Sequence, residues 1–320
     1  MWAKAQAQPN IALIKYWGKS NVSKNIPAVD SLSITLDDLW TKMRVEFSSD
    51  FQHDKLSVNG LSDTEMLPRV SSCIDFLAGK RRDFAYIESE CNFPISAGLA
   101  SSSSAFSALV VAVNAALELK NNSNALACFA GAVSGSAARS LYGGFVELKS
   151  NLDEINLITL FDSEEWPLRI VIAITDSQKK KISSSEAMIR SAGTSPFYSS
   201  WVDRQNQDIE IARKAILTKD FEKLAAISEH NCLKMHSIMW TSRPPIVYWN
   251  QATLECIKSI RHLQSLGESV FFTIDAGPQV KAICLKENET LIKDTLSQID
   301  GVDSILTSGI GCGASLLGNE

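Results

Sequence analysis

The chain has little that would hold a metal. Its seven cysteines never form a CxxC pair, and its four histidines have no ligand spacing, which argues against a structural zinc site. Scattered cysteines, odd in number, read as reduced thiols and lead us to expect a cytoplasmic protein. A positive excess is also missing. The net charge is −5 and the pI about 5.5, which argues against nucleic acid or an anionic membrane as partner. Any polyanionic ligand must then meet cations gathered in one pocket. No apolar run approaches the roughly 20 residues of a membrane-spanning helix; the most apolar stretch, Leu109–Leu119, is broken by Asn114 and Glu118. The first residues, MWAKAQAQPNIALIKYWGK, contain no signal-peptide core. Internal repeats and low-complexity segments are missing as well.

What is present is ordinary globular material: 320 residues, 45% hydrophobic and 21% charged, enough for two domains. Ile11–Tyr16, Ser31–Leu36 and Met43–Phe47 have strand-like patterns, and the polar stretch Ser20–Ile26 before Pro27 reads as a loop. A helix is expected over Glu65–Leu77 and a strand over Phe84–Glu90, joined by the basic loop Gly79–Arg82. After Pro94 and Gly98 comes a serine cluster, then a helix with Phe106, Leu109, Val110, Val113 and Leu117 at helical spacing. Gly131–Leu148 should switch from helix to strand at Gly143-Gly144, and Leu168–Ile174 reads as a strand. The second half predicts helices over Ser184–Ala192, Asp203–Leu217, Phe221–Met239 and Tyr248–Leu266, with strands at Val270–Ile274 and Ala282–Leu285. The glycine-rich tail Gly309–Gly313 is expected to pack against the site. The class is α+β in two lobes, divided as residues 1–177 and 178–320.

Gly18-Lys19-Ser20 resembles the end of a Walker A loop, but Leu13 stands where that motif needs its first glycine, so a P-loop is rejected. The segment Pro94–Ala105 has a better phosphate-binding logic. Small residues let an anion approach the backbone, a helix starting near Leu99 presents free N–H groups, and Ser101–Ser104 add hydroxyls for phosphate or Mg²⁺. The competing reading is a serine-rich helix cap. Lys15, Tyr16 and Lys19 at a strand end make a grip for a diphosphate, or a solvated strand end. Ser134, Gly135 and Ser136 lead to Arg139, suited to a carboxylate or phosphate, or to close helix packing. Asp275, at the end of an apolar run and before a glycine turn, reads first as a turn cap and second as a catalytic base. Lys179–Lys181 reads as a solvated linker, and His230 and His236 as helix-surface or packing residues.

Together these segments resemble the diphosphomevalonate decarboxylases of the galactokinase–homoserine kinase–mevalonate kinase–phosphomevalonate kinase superfamily. The similarity runs through NIALIKYWGK (Asn10–Lys19), IPAVDSLSITL (Ile26–Leu36), NFPISAGLASSSSAF, SGSAARSLYGGFVEL, ISSSEAM (Ile182–Met188), TSPFY (Thr194–Tyr198), PPIVY (Pro244–Tyr248) and DAGPQV (Asp275–Val280). Departures from the family pattern are Val29-Asp30, Ile95-Ser96, Ala138 and Gln279. The resemblance implies a two-lobed kinase-like fold, with a ribosomal-protein-S5-domain-2-like first lobe, a ferredoxin-like second lobe and the active site in the cleft between them. It also implies ATP-dependent decarboxylation of 5-diphosphomevalonate, with ATP and Mg²⁺ as cofactors and a homodimer as the assembly. By the same resemblance Asp275, Lys15 and Arg139 are catalytic, and Asn10, Tyr16, Lys19, Ser134, Ser136 and Ser184 bind substrate. Asn92, Ala97, Gly98, Leu99, Ala100, Ser101, Ser102 and Ser103 would hold the nucleotide, with Ser102 near Mg²⁺, itself carried mainly by ATP. Three alternatives stay open: a phosphomevalonate decarboxylase, a mevalonate 3-kinase-like relative, and a non-catalytic nucleotide-binding homologue.

Overall fold

A computed structural model describes residues 1–94, 101–151, 154–178 and 180–318. The first half contains β1 (Trp2–Ala7), β2 (Asn10–Ile14), β3 (Lys19–Asn21), β4 (Ile26–Pro27), β5 (Ser31–Thr35), β6 (Thr41–Ser48), β7 (Lys55–Val58) and β8 (Leu61–Ser62). There follow α1 (Leu67–Ala78), β9 (Phe84–Cys91), α2 (Ser101–Ala116), α3 (Ser123–Val133), α4 (Ala137–Ser140), β10 (Phe145–Ser150) and β11 (Ile155–Phe161). The second half contains β12 (Arg169–Ile174), α5 (Ser184–Thr194), α6 (Tyr198–Leu217), α7 (Phe221–Trp240), α8 (Gln251–Ser265), β13 (Val270–Thr273), β14 (Val280–Cys284), α9 (Glu289–Ser297), β15 (Ser304–Ser308) and β16 (Ser315–Leu317).

Helix α2 is the organising element of the first lobe. It is apolar on most sides, with Phe106, Leu109, Val110 and Val113 all buried. Accordingly it lies between α1, α3 and α4 on one side and, on the other, the sheet ordered β16-β1-β6-β9-β7-β8. The strict alternation of burial along β6 is what one sheet face against a core requires. A second sheet, β11-β10-β5-β2, is buried through β2 and β5 along their whole length.

The second lobe orders its strands β13-β14-β12-β15. Counted along the chain this is 2-3-1-4, the ferredoxin-like arrangement, with α9 returning the chain to β15. One face of this sheet, with Val171, Ala173, Phe272 and Ala282, packs under α8 and α9. The opposite face, with Ile170, Ile172, Phe271 and Ile283, shares a single core with Ile11, Leu13, Leu32 and Ile34 of the first lobe. A continuous apolar core across the lobes fixes the cleft between them. The bidentate pair Arg213–Glu147 (2.7 Å for each bond) ties α6 to β10 across the same boundary.

The local expectations hold with instructive differences. Helix α6 begins at Tyr198 rather than Asp203, because Trp201 and Gln205 are buried in its first turns. The segment read as a loop, Ser20–Ile26, forms the two arms of a small hairpin, with Lys19 opposite Pro27 and Asn21 opposite Ile26. Gly18 has φ +97°, and a Cβ there would collide with the Tyr198 hydroxyl, so the turn between β2 and β3 requires glycine. The tail Gly309–Gly313 packs against the Leu36–Asp37 and Tyr142 backbones, and the Ala314 N–H donates to the Ser140 carbonyl. It therefore supports α4 from behind. Strand β12 belongs to the second-lobe sheet, and β16 returns to pair with β1.

Candidate active site

The lobes enclose a cleft of about 790 Å³ lined by Asn10, Lys15, Tyr16, Lys19, Ser101, Ser102, Ser134, Ser136, Arg139, Lys180, Ser184 and Asp275, among others. Its far end is more apolar, with Met43, Leu56, Val58, Met66, Val70 and Phe106.

Asp275 stands in the turn after β13, not as a cap but as the acceptor of two buried ammonium groups. Lys15 Nζ donates to its Oδ1 at 2.7 Å, and Lys281 Nζ lies 3.3 Å from Oδ2. Both lysine side chains are only 1% exposed, whereas the Asp275 side chain keeps 25%, open to the cleft. Burial by itself would raise the carboxyl; the lysines prevail and hold it far below the ordinary carboxylate range. Lys15 is itself fixed where β2 ends. Its ammonium also donates to the Ala12 carbonyl at 2.9 Å. Its backbone N–H donates to Asn231 Oδ1 and its carbonyl accepts from Gln205 Nε2, each at 2.8 Å.

Arg139 sits on the short helix α4 and is 2% exposed. Its guanidinium donates to Ser31 Oγ (2.7 Å), Ser33 Oγ (3.0 Å) and Asn10 Oδ1 (3.1 and 3.3 Å). Every one of these partners is neutral, and no carboxylate of the described residues forms an ion pair with it within 4.0 Å. Burial pulls its pKa down to about 10, with Asp275 and Tyr16 opposing the fall, so it remains charged at neutral pH. Asn10 completes the clamp by donating to Ser136 O (2.9 Å) and Ser140 Oγ (2.7 Å).

The Tyr16 ring lies close against Gly135, where a Cβ would come within 2.6 Å of it. Burial pushes the Tyr16 phenol up to about 12, so it serves only as a neutral hydrogen-bonding group. Lys19 Nζ donates to Ser185 Oγ at 2.7 Å, and burial lowers its pKa, with nearby Arg69 adding to the effect. Ser183 caps α5, leaving Ser184 and Ser185 on the first turn beside the cleft. Ser102 Oγ and Ser134 Oγ approach to 3.3 Å across the cleft floor.

Several expectations need correction. Ser101 and Ser102 line the cleft, but Ser103 is fully buried. Asn92 binds no cleft surface: its side chain accepts from Trp40 N and donates to Asp38 O, clamping the loop before β6. Ala97, Gly98, Leu99 and Ala100 lie outside the described residues, as does Lys179. Lys180, dismissed as part of a solvated linker, reaches the site: its ammonium donates to Ala276 O (2.9 Å) and Ser184 Oγ (3.0 Å). Lys281 belongs to the site without belonging to any motif; a lysine inside the apolar run of β14 is its one visible signal in the sequence. His236 is a packing residue, its ring 4.6 Å from that of Trp249 and tilted by 47°, and its pKa is lowered to about 3 by burial. Gln279, one of the departures from the family pattern, accepts from Thr175 N–H at 2.6 Å and so serves the turn rather than the cleft.

Chemically, Lys15, Lys19, Arg69, Arg139 and Lys180 line the cleft against Asp63, Glu65 and Asp275, and Lys281 adds a further cation behind Asp275. Such a place stabilises several negative groups at once. No cluster of three or more His, Cys, Asp or Glu suitable for a metal occurs among the described residues. No helix among them is long and apolar enough to cross a membrane.

Comparison with known proteins agrees in both halves. Residues 7–157 match the diphosphomevalonate decarboxylase-like N-terminal domain, and residues 170–308 the mevalonate 5-diphosphate decarboxylase C-terminal domain. The diphosphomevalonate decarboxylase of Candida albicans is 34% identical over 297 residues, 86% of this chain and 82% of that protein. The crystal structure of mevalonate diphosphate decarboxylase from Staphylococcus aureus superposes with a TM-score of 0.93 at 34% identity, covering 99% of this chain and 98% of the other. A structure of MDDEF in complex with MVAPP, AMPPCP and magnesium gives a TM-score of 0.92 at 33% identity, covering 100% and 99%.

Proposed function

The chain belongs to the diphosphomevalonate decarboxylase family, and from that premise we propose how its cleft performs the family's reaction. The enzyme is a carboxy-lyase. It converts (R)-5-diphosphomevalonate and ATP to isopentenyl diphosphate, ADP, phosphate and CO₂, with Mg²⁺ as cofactor. The single observation that carries the assignment of roles is the pairing of Asp275 with Lys15 in one cleft with Arg139.

In our reading the 5-diphosphate lies between Tyr16, Lys19, Ser134, Ser136, Ser184 and Lys180. The substrate's C1 carboxylate meets Arg139, whose buried charge has neutral hydrogen-bond partners among the described residues. The 3-hydroxyl then faces Asp275 and Lys15. ATP enters with its phosphates at the N-terminus of α2, where Ser101 and Ser102 stand, and its base toward the more apolar end of the cleft. Mg²⁺ would be held mainly by ATP, with the Ser102 hydroxyl as the group of this chain nearest to it, and would supply positive charge against the phosphates.

Phosphoryl transfer makes an O–P bond at the 3-hydroxyl and breaks the bond to ADP. Asp275, kept ionised by its lysines, is a weak base. A loose transition state demands little early proton removal, so its part is to orient the hydroxyl and receive the proton as the bond completes. The C3–O bond then breaks with phosphate, and the C1–C2 pair becomes the C2=C3 double bond as CO₂ leaves. Arg139 holds the carboxylate in line for that step.

We also place the division of the lobes at 1–177 and 178–320, with β12 and β16 exchanged between their sheets, and assign a cytoplasmic homodimer. The test is incubation with Mg²⁺-ATP and, separately, mevalonate, 5-phosphomevalonate and 5-diphosphomevalonate. Turnover with the diphosphate alone supports the reading; equal or faster turnover of the monophosphate overturns the assignment of the diphosphate grip.

A further inference from the structure

Lys281 is out of place by every local rule. It is the second residue of β14, whose five residues are all buried, and it is flanked there by Val280 and Ala282. Cross-strand it sits opposite Thr273 of β13 and Ile172 of β12. Its sheet face is the one that carries Ile172, Phe271 and Ile283 into the core shared by the lobes. A strand of that kind calls for an apolar side chain, and an ammonium group there carries a desolvation cost of several kcal/mol before any partner is counted. The group reaches Asp275 Oδ2 at 3.3 Å while Lys15 holds Oδ1 at 2.7 Å. Two cations on one carboxylate leave the cluster with a surplus positive charge. That is more than neutralising Asp275 would need, since Lys15 alone does so.

We propose that Lys281 is a positioning residue for the reaction: with Lys15 it grips the Asp275 carboxylate by both oxygens, fixing its plane and its ionised form at the substrate hydroxyl. This rests on the reading that Asp275 faces that hydroxyl. A carboxylate held at one oxygen can turn about its Cβ–Cγ bond; held at both, it presents one geometry. The second cation also resists protonation of Asp275 when phosphate, carboxylate and nucleotide crowd negative charge around it. The other charged or titratable groups facing Asp275 are Arg139 from α4, Lys180 from the segment before α5, and Cys232 and His236 from α7. Of these, Lys180 and His236 are themselves lowered by the charge of Lys281, so its replacement raises both toward their ordinary values.

The experiment uses Lys281→Met, which keeps the shape without charge, and Lys281→Gln, which keeps a hydrogen-bond donor. The full-length enzyme, Mg²⁺-ATP and 5-diphosphomevalonate are used throughout, with Asp275→Asn alongside. Lys281→Met should lower kcat by about 10- to 100-fold and leave both KM values within about threefold. The acid limb of its kcat–pH profile should move up by about one pH unit. Its melting temperature should not fall, because Asp275 keeps Lys15 and a buried charge has been removed. Lys281→Gln should fall between Met and the parent, and carries the same test if the Met variant does not fold. A kcat within threefold of the parent with an unmoved acid limb overturns the proposal, and so does a kcat loss that merely follows a lower melting temperature. If the parent enzyme is active and Asp275→Asn is not, that failure belongs to Lys281 alone. If Asp275→Asn turns over normally, the reading beneath it has failed as well.

Discussion

Replacing Asp275 by asparagine tests stability and chemistry together. The substitution keeps the shape but removes the charge shared by Lys15 and Lys281, both of which are 1% exposed. Breaking a buried pair by deleting one partner costs about 3–5 kcal/mol. Asp275 is itself 25% exposed toward the cleft, so water there moderates the loss and the lower figure, about 3 kcal/mol, applies. At roughly 2–4 °C per kcal/mol, the melting temperature should drop by about 6–12 °C. The penalty has a pH signature. Burial already lowers the Lys281 pKa, and without Asp275 nothing at that oxygen opposes the fall. Its folded value then lies below its unfolded value, the unfolded chain binds more protons, and stability rises with pH toward the ordinary lysine range. Urea titrations of parent and variant at neutral and alkaline pH measure this directly. ADP release should fall by about 10²–10⁴-fold, while Mg²⁺-ATP binding stays within about threefold. A variant as stable as the parent at neutral pH, with a near-normal kcat, would refute the ionic arrangement inferred around Asp275.

Other outcomes follow from the same geometry. Arg139→Gln should reduce kcat by at least about 100-fold with little change in ATP binding, since the lost contact is to the departing carboxylate; steady-state kinetics with each substrate varied separates the two. Gly135→Ala drives a methyl group into the Tyr16 ring, 2.6 Å away, and should raise the KM for diphosphomevalonate by about tenfold with ATP affinity unchanged by calorimetry. His236 is neutral in the folded enzyme, its pKa lowered by burial from 6.5 to about 3. As pH falls through that window the unfolded state takes the proton first, so about 1.4 kcal/mol is lost per pH unit. His236→Gln should flatten that acid slope in urea titrations, and an unchanged slope would count against the assignment.

The parts of this molecule legible in sequence were those with a period or a breaker. Helix α2 announced itself through Phe106, Leu109, Val110 and Val113, and the turn at Gly18 through its glycine. Residues whose meaning depends on distant partners were not legible by themselves. Asp275 is indistinguishable from a turn cap until β2 brings Lys15 to it across 260 positions. Lys180 belongs to a lysine run that composition assigns to solvent, yet its own ammonium lines the cleft and donates to Ala276 O. Ser103 and Ser102 are adjacent in one serine cluster, and only the helical rotation of about 100° per residue sends the first into the core and the second to the cleft. Lys281, Gln205 and Asn231 act by holding other site residues, a role that leaves no mark on local pattern.

The central claim is that one cleft couples phosphoryl transfer to loss of CO₂. The most direct test is a single turnover with enzyme in excess over 5-diphosphomevalonate labelled at C1, quenched at intervals, with ADP and labelled CO₂ measured in each sample. The account predicts one CO₂ for each ADP at completion, with no ADP formed when the substrate is left out. ADP accumulating with no CO₂ would contradict it and leave a kinase acting on the 3-hydroxyl.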